Sequence, residues 1–251
     1  KTVKEDIDSN LKLNIIYEDH NIILINKDMG ILSHGAGGKF EENIVDSMIS
    51  YLIKKGDYVP RIEKTFTPSI CNRLDRNTSG IIIGAKNYQS LKGINEAIKY
   101  SHIRRFYKTI VKGYVKEDFQ AKAYLSKDED KNKVEITKEA TEGSKKIITN
   151  INILGKKQGY SLLEIELITG RTHQIRSHLA SLGYSVIGDR KYGEKSINSY
   201  FRNKYNLENQ WLHGYKIEFN GLKDSLEYLN GRSFESQPKK EFIKIEEDLF
   251  K

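Results

Sequence analysis

The sequence has little of what would indicate a cross-linked, multidomain or membrane-spanning protein. Its 251 residues contain one cysteine, Cys71, so an internal disulfide bond and a cysteine-based zinc site are excluded. Three prolines and no serine- and glycine-rich stretch leave no recognisable interdomain linker. The apolar runs, such as residues 22–25 and 81–83, are far shorter than the ~20 residues of a membrane-spanning helix. We therefore expect a cytoplasmic protein, in which Cys71 is a small buried residue rather than a nucleophile.

Positive charge is concentrated in two segments. The whole chain carries 42 Lys and Arg against 34 Asp and Glu, a net charge of +8. Residues 61–116 hold 12 basic and 3 acidic residues, residues 169–216 hold 8 and 3, and the remaining stretches are mildly acidic. This concentration is typical of a face that binds a polyanion such as nucleic acid. Lysines spread over unrelated surfaces would give the same totals, so charge alone leaves both interpretations open.

The hydrophobic pattern predicts strands and helices without a regular β-α-β period. Residues 15–17 and 22–25 indicate a hairpin, and helical spacing covers residues 43–53. Further strands are predicted at 80–85, 106–113 and 160–168, a helix after the N-cap Asn87, and a helix over 172–182 with Thr172 as its cap and Gly183 after its end. This mixture predicts an α+β fold with a mixed, largely antiparallel sheet flanked by helices.

Common cofactor and metal motifs are missing. The glycine-rich stretch 35–38 cannot be a phosphate loop, because Ser33 and Phe40 occupy positions that need a glycine and a hydroxyl residue. It also lacks the third glycine of a dinucleotide fingerprint, so we interpret it as a surface turn. His173 and His178 lie about 140° apart around a helix and cannot bind one metal together. We therefore expect no metal and no cofactor.

Two segments, both in the basic stretches, carry side chains suited to chemistry. The first, NRLDRNTSG at residues 72–80, places Asp75 between two arginines. Asp75 can be a turn residue that bonds backbone amides, which is the commoner role, or an ionised carboxylate held among cations as a nucleophile or base. The second is GRTHQIRSHL at 170–179, followed by GDRKYG at 188–193. It is either a phosphate-binding helix N-terminus or an amphipathic helix with a solvated polar side, followed by a turn.

The segments resemble the signature motifs of the RluA-type pseudouridine synthases, which isomerise uridine to pseudouridine in RNA. Four family patterns are matched in order: [HN]-R-L-D-x-x-T-S-G, aromatic-Y-x-x-x-V-x-G, G-R-T-H-Q-I-R-x-H-L and G-D-x-x-Y-G, at 72–80, 106–113, 170–179 and 188–193. The likeness covers about residues 13–220, including the opening hairpin and Leu212-His213 of a late strand. It implies the family's α+β catalytic fold with a central basic cleft, working without cofactor or metal.

The resemblance implies roles for nine residues. Asp75 is the expected catalytic carboxylate, which attacks the ribose C1′ or the base, or assists cleavage through a glycal-like route. Arg176 is expected to pair with Asp75 and keep it ionised, and Tyr107 to stack on a uracil flipped out of the RNA. The residues expected to contact RNA are Arg73, Arg76, Arg105, Arg171, His173 and Gln174.

The resemblance also bears on domains and partners. Many relatives that modify large-subunit ribosomal RNA carry an N-terminal S4-like domain. Residues 1–12, which begin with Lys1 and not methionine, are therefore expected to be a leader or the remnant of such a domain. Residues 13–251 are expected to form one catalytic domain of a monomer. The expected partner is 23S ribosomal RNA, with transfer RNA as the alternative. Rival functions are an RNA-binding module or chaperone without catalysis, and a methyltransferase, which would need a glycine loop absent here.

Overall fold

The computed structural model describes residues 9–35, 41–60, 62, 65–128 and 133–251. Most of the predicted leader and residues 36–40, which include most of the predicted glycine-rich turn, lie outside the described residues. The chain forms two compact units, Lys1–Arg104 with Lys216–Ser236 and Arg105–Tyr215 with Gln237–Lys251. A single domain over 13–251 stays a prediction.

The first unit is built on antiparallel strands in the order β1–β2–β4. Strands β1 (Ile15–Glu18) and β2 (Ile22–Lys27) form the predicted hairpin, and β2 pairs with β4 (Ser79–Ala85) along its whole length. Strand β3 (Ser69–Ile70) pairs with the end of β4. The end of β10 (Leu212–Phe219) pairs with β11 (Ser233–Glu235).

Two asparagine-capped helices belong to the first unit. The side chain of Asn43 accepts the amide of Asp46 at the start of α1 (Ile44–Lys55), and that of Asn87 accepts the amide of Ser90 in α2 (Tyr88–Lys99). Both predicted helices are thereby confirmed. A 3₁₀-helix, Asp224–Leu229, completes the unit. The core comprises Ile22, Leu24, Ile81, Ile83, Ile94, Ala97, Ile103, Ile217, Phe219, Leu222, Leu226 and Leu229.

The second unit holds an antiparallel sheet in the order β5–β9–β8–β6–β7. The strands are β5 (Ile103–Lys112), β6 (Phe119–Asp128), β7 (Lys133–Thr137), β8 (Lys145–Lys157) and β9 (Tyr160–Leu167). The helices are α3 (Gln174–Ser181), α4 (Lys195–Tyr205) and α5 (Lys240–Phe250). The strands predicted at 106–113 and 160–168 are confirmed as β5 and β9.

The start of α3 differs from the prediction. The helix begins at Gln174 rather than Thr172, and its N-cap is His173, which adopts the left-handed region at φ 54°. The turn before the helix is closed instead by the side chain of Gln174, whose Oε1 accepts the amide of Arg171 at 3.1 Å. The predicted end is confirmed, because Gly183 has a φ of 84° and its amide donates to Ala180 at 3.0 Å.

The predicted α+β class is confirmed. The strand pairings within each unit are antiparallel, and an isolated bridge between Leu32 and Asn43 is parallel. None of the helices in the described part of the chain is both long and apolar enough to cross a membrane.

Candidate active site

Asp75 lies in the loop that joins β3 to β4, in the first unit. The side chain of Asn72 attaches this loop to β4, because its Nδ2 donates to the Ile81 carbonyl at 3.1 Å and its Oδ1 accepts the Ile83 amide at 2.8 Å. On the other side, the amide of Thr78 donates to the Asp75 carbonyl at 3.0 Å. The loop is therefore attached to the strand before the carboxylate and closed by a turn after it.

Ser33 holds the residue that precedes Asp75. Its buried hydroxyl donates to the carbonyl of Leu74 at 2.7 Å and accepts the amide of the same residue at 3.0 Å. Both backbone groups of Leu74 are satisfied by one side chain, which matters because Leu74 is itself buried.

Lys27 holds the residue that follows. Its Nζ donates to the carbonyls of Arg76, Ile31 and Asp28, each at 2.9 Å, and the residue is 1% exposed. Burial lowers the pKa of Lys27 to about 7, while the negative charges of Asp75 and Asp28 raise it. Lys27 was not among the predicted site residues, although it ends an apolar strand of the family's opening hairpin.

The two arginines that flank Asp75 are exposed. Arg76 forms an ion pair with Glu41, and both side chains are about half exposed. An exposed ion pair contributes little to stability. Contact of Arg76 with RNA stays a prediction.

In the second unit, Arg176 of α3 forms a buried, bidentate ion pair with Asp189. Nε lies 2.7 Å from Oδ2 and Nη2 lies 2.9 Å from Oδ1, and Asp189 is fully buried. Its Oδ1 also accepts the amides of Lys191 and Tyr192. Burial by itself would raise the pKa of Asp189, but the bonds and charge of Arg176 and the two amides outweigh it and lower the pKa.

Residues 188–193 thus do more than form a turn, since they supply the carboxylate that orients Arg176. The family pattern contained this aspartate, but nothing in the sequence linked it to the arginine. Asp75 belongs to the first unit and Arg176 to the second. The predicted pairing of Arg176 with Asp75 stays a prediction.

His173 and Tyr192 meet beside this ion pair. The Nδ1 of His173 lies 2.9 Å from the Tyr192 hydroxyl oxygen, and the rings contact edge to face with centroids 5.7 Å apart. The Cζ of Arg176 lies 5.3 Å from the centre of the Tyr192 ring. The same hydroxyl oxygen accepts the amide of Val134, on β7, at 3.4 Å.

Two of the residues predicted to contact RNA are buried. Gln174 is 2% exposed, and besides accepting the Arg171 amide it donates to two oxygen atoms of β8, each at 3.1 Å. Arg105 is 8% exposed and lies under Gly170, where an added Cβ would be 3.1 Å from its Nη1. Both side chains support the loop between β9 and α3.

Tyr107 and Arg171 occupy different surroundings. Tyr107 lies on β5 opposite Ile165 of β9 and is 5% exposed. Arg171 lies on the loop before α3 and is exposed. Stacking of Tyr107 on a base and phosphate contact by Arg171 stay predictions.

Cys71 and His178 also have shifted pKa values, but neither provides a reactive side chain. Burial raises the pKa of Cys71 to about 12, which keeps the thiol protonated. Burial lowers the pKa of His178 to about 4, and its Nδ1 lies 3.1 Å from the Thr149 hydroxyl oxygen. Within the described residues, no group of three or more His, Cys, Asp or Glu side chains could hold a metal ion.

Comparison with known proteins identifies the family. The sequence profile of the RNA pseudouridylate synthases matches residues 21–181, a span that contains the Asp75 loop, β5 and α3. The chain belongs to this family. It is a pseudouridine synthase, an isomerase that acts on RNA. The RluA-type resemblance is confirmed.

Named relatives extend the match over nearly the whole chain. The ribosomal large subunit pseudouridine synthase D of Borreliella burgdorferi is 31% identical over 245 residues, covering 97% of this chain and 70% of that protein. The ribosomal large subunit pseudouridine synthase C of Buchnera aphidicola is 33% identical over 230 residues, covering 87% and 69%. The structure of Human RNA Pseudouridylate Synthase Domain Containing 4 shares the fold, with a TM-score of 0.71, 19% identity and coverage of 93% and 91%.

Proposed function

We propose that this pseudouridine synthase modifies uridines of large-subunit (23S) ribosomal RNA in the cytoplasm, as a monomer, with Asp75 as its catalytic residue and no cofactor. The support for Asp75 is its loop, in which separate side chains hold the residues before and after the carboxylate. A catalytic carboxylate has to be held in a fixed position if catalysis depends on the orientation of the reacting groups rather than on a cofactor.

The reaction needs no net oxidation or reduction. The bond between ribose C1′ and uracil N1 breaks, the base turns, and C1′ bonds to C5; C5 loses a proton and N1 gains one. One ionised carboxylate can catalyse this series of bond changes by attacking C1′ or the base, or by assisting a glycal-like route. Asp75 takes this role in the proposal, and the three routes stay open.

Arg176 and Tyr107 complete the proposed catalytic set. The bidentate pair with Asp189 leaves the Arg176 guanidinium little freedom. An arginine fixed in this way can orient the Asp75 carboxylate through charge-assisted hydrogen bonds. Tyr107 is proposed to stack on the flipped uracil, a role that suits an aromatic ring held in a strand.

The proposed RNA contacts are the exposed or partly exposed basic side chains of the two motifs. These are Arg73, Arg76, Arg171 and His173. Arg105 and Gln174 are buried and are proposed to order the loop that carries Arg171, and their predicted contact with RNA stays a prediction. The names of the Borreliella and Buchnera relatives favour ribosomal RNA as the substrate.

Tritium release tests this proposal. RNA labelled with tritium at uracil C5 loses the label when C5 bonds to the ribose. We expect release from an unmodified 23S ribosomal RNA transcript and none from transfer RNA transcripts. Release from transfer RNA alone would overturn the substrate assignment and leave the reaction standing. Release from neither RNA would favour an RNA-binding protein without catalysis.

A further inference from the structure

Tyr192 contacts three parts of the second unit. Its hydroxyl bonds to the His173 ring, its ring faces the Arg176 guanidinium, and its backbone amide donates to Asp189 at 3.1 Å. The ring also packs against the small core of Ala123, Leu125, Val134 and Ile147, built by β6, β7 and β8. One side chain therefore joins the start of α3 and its ion pair to the sheet.

His173 has an uncommon backbone conformation. A φ of 54° places it in the left-handed region, which few residues other than glycine adopt, although asparagine, aspartate and histidine do so more often than the rest. As the N-cap of α3 its side chain makes no capping hydrogen bond. The bond to Tyr192 instead holds this side chain at the start of the helix.

The Tyr192 hydroxyl oxygen also contacts a backbone amide of β7. The amide of Val134 can only donate, so the Tyr192 oxygen accepts there. A phenol oxygen that accepts one bond can still donate its own proton, and we assign that proton to Nδ1 of His173. In the neutral imidazole this assignment makes Nδ1 the acceptor and places the ring proton on Nε2.

Tyr192 also touches both members of the Arg176–Asp189 pair. Its amide stabilises the carboxylate, and the face of its ring lies against the guanidinium. His173 and Arg176, three residues apart, thus both contact the side chain of Tyr192.

We propose that Tyr192 is a positioning residue, which fixes the ring of His173 for RNA contact. The inference rests on the proposed function for the role of His173. The hydroxyl contact itself is independent of any RNA.

The first test uses the protein without RNA. Long-range proton–nitrogen NMR spectra of the imidazole rings are recorded at pH 8 for wild type and Tyr192→Phe, and His173→Asn identifies the His173 signals. We expect an unprotonated Nδ1 whose resonance is shifted by the hydrogen bond, and a return to the unbonded position in Tyr192→Phe. A protonated Nδ1 in wild type, or an identical Nδ1 resonance in both proteins, would overturn the proposal.

The second test is a mutant cycle read out as affinity for the unmodified 23S transcript. Tyr192→Phe is made in wild type, in His173→Asn and in His173→Ala. Asparagine tolerates the left-handed backbone, and its Oδ1 can replace Nδ1 as the acceptor. We expect Tyr192→Phe to weaken affinity about five- to tenfold in the first two backgrounds and less than about twofold in His173→Ala. Equal weakening in all three would show a merely structural role and overturn the proposal.

A matched control is Tyr114→Phe, which removes another tyrosine hydroxyl of the second unit, the one that accepts the Gly159 amide at 2.9 Å. Its affinity should stay within about twofold of wild type. Thermal melting confirms that each variant folds. If wild type does not bind the 23S transcript, the substrate assignment fails, and the imidazole spectra alone decide the role of Tyr192.

Discussion

At the scale of residues, one buried ionisable side chain in each unit, Lys27 in the first and Asp189 in the second, supports the candidate catalytic groups. Lys27 is bonded to three backbone carbonyls around the Asp75 loop, and Asp189 is bonded to the Arg176 guanidinium and two amides. A buried charge is tolerated when its bonding capacity is filled. When one partner of such a contact is removed, the other stays buried without a bonding partner. The free-energy cost of its desolvation is then no longer offset.

Asp189→Asn tests the ion pair. The change keeps the shape of the side chain but leaves the Arg176 cation without its counter-charge in a buried site. We expect the free energy of unfolding to fall by about 3 kcal/mol and the rate of tritium release to fall with it. Denaturant unfolding and the release assay measure the two effects.

The matched control for Asp189 is Glu208→Gln, which breaks the exposed ion pair with Arg190 in the same unit. It should cost no more than about 1 kcal/mol. Equal losses for Asp189→Asn and Glu208→Gln would contradict a supporting role for the buried pair.

At the scale of elements, the Asp75 loop is held by side chains from distant parts of the first unit. The Ser33 hydroxyl belongs to the segment after β2, and Asn72 bonds across to β4. A loop whose backbone groups are satisfied by buried side chains has few alternative conformations.

Ser33→Ala tests that arrangement. The variant leaves both the amide and the carbonyl of Leu74 buried without the hydroxyl that now satisfies them. We expect a loss of about 2 kcal/mol in unfolding free energy and faster hydrogen exchange at the Leu74 amide. Ser199→Ala, at an exposed position, should change neither; an unaltered Leu74 amide in Ser33→Ala would contradict the account.

Local signals predicted the elements that depend on local chemistry. Asn43 and Asn87 cap their helices through bonds to residues three positions away, which a sequence pattern can reveal. Thr172 had the same local signal, yet α3 starts later, because the buried side chain of Gln174 closes the turn and His173 bonds to Tyr192. Tertiary contacts outweighed the capping preference there.

The candidate site also combines residues that sequence motifs reveal with contacts that form only on folding. Asp75, Tyr107 and Arg176 could be named because they stand in family motifs. Asp189 stands in such a motif as well, but its bond to Arg176 forms only on folding and could not be predicted. The bonds of Lys27 and Ser33 to the Asp75 loop join residues 49 and 41 positions apart, which no local pattern reveals.

At the scale of the whole molecule, the charge totals overstate the basic surface. Arg105 and Arg176 are counted in the two basic segments, although both are buried. Arg73, Arg76 and Arg171 remain exposed. Salt-sensitive RNA binding is therefore expected to depend on these exposed side chains rather than on the net charge of +8.

Stability toward acid depends on His178. Its folded pKa of about 4 lies below its ordinary value of 6.5, so between these values the unfolded chain binds more protons than the folded protein. Burial of the neutral His178 ring therefore does not reduce the free energy of unfolding above pH 6.5. As the pH falls from 6.5 towards 4, the free energy of unfolding decreases by about 3 kcal/mol. Denaturant unfolding across this range should show a smaller loss in His178→Asn. The same change at the exposed His20 should not reduce the loss; identical acid sensitivity of wild type and His178→Asn would contradict this assignment.

The measurement that tests the central claim most directly compares Asp75→Asn with wild type in tritium release and in RNA affinity. Asp224→Asn, at an exposed position of the same unit, is the matched control. The account predicts that Asp75→Asn abolishes release while affinity for the 23S transcript is retained, and that Asp224→Asn behaves as wild type. Release by Asp75→Asn at the wild-type rate, or loss of binding together with release, would contradict the assignment of Asp75 as the catalytic residue.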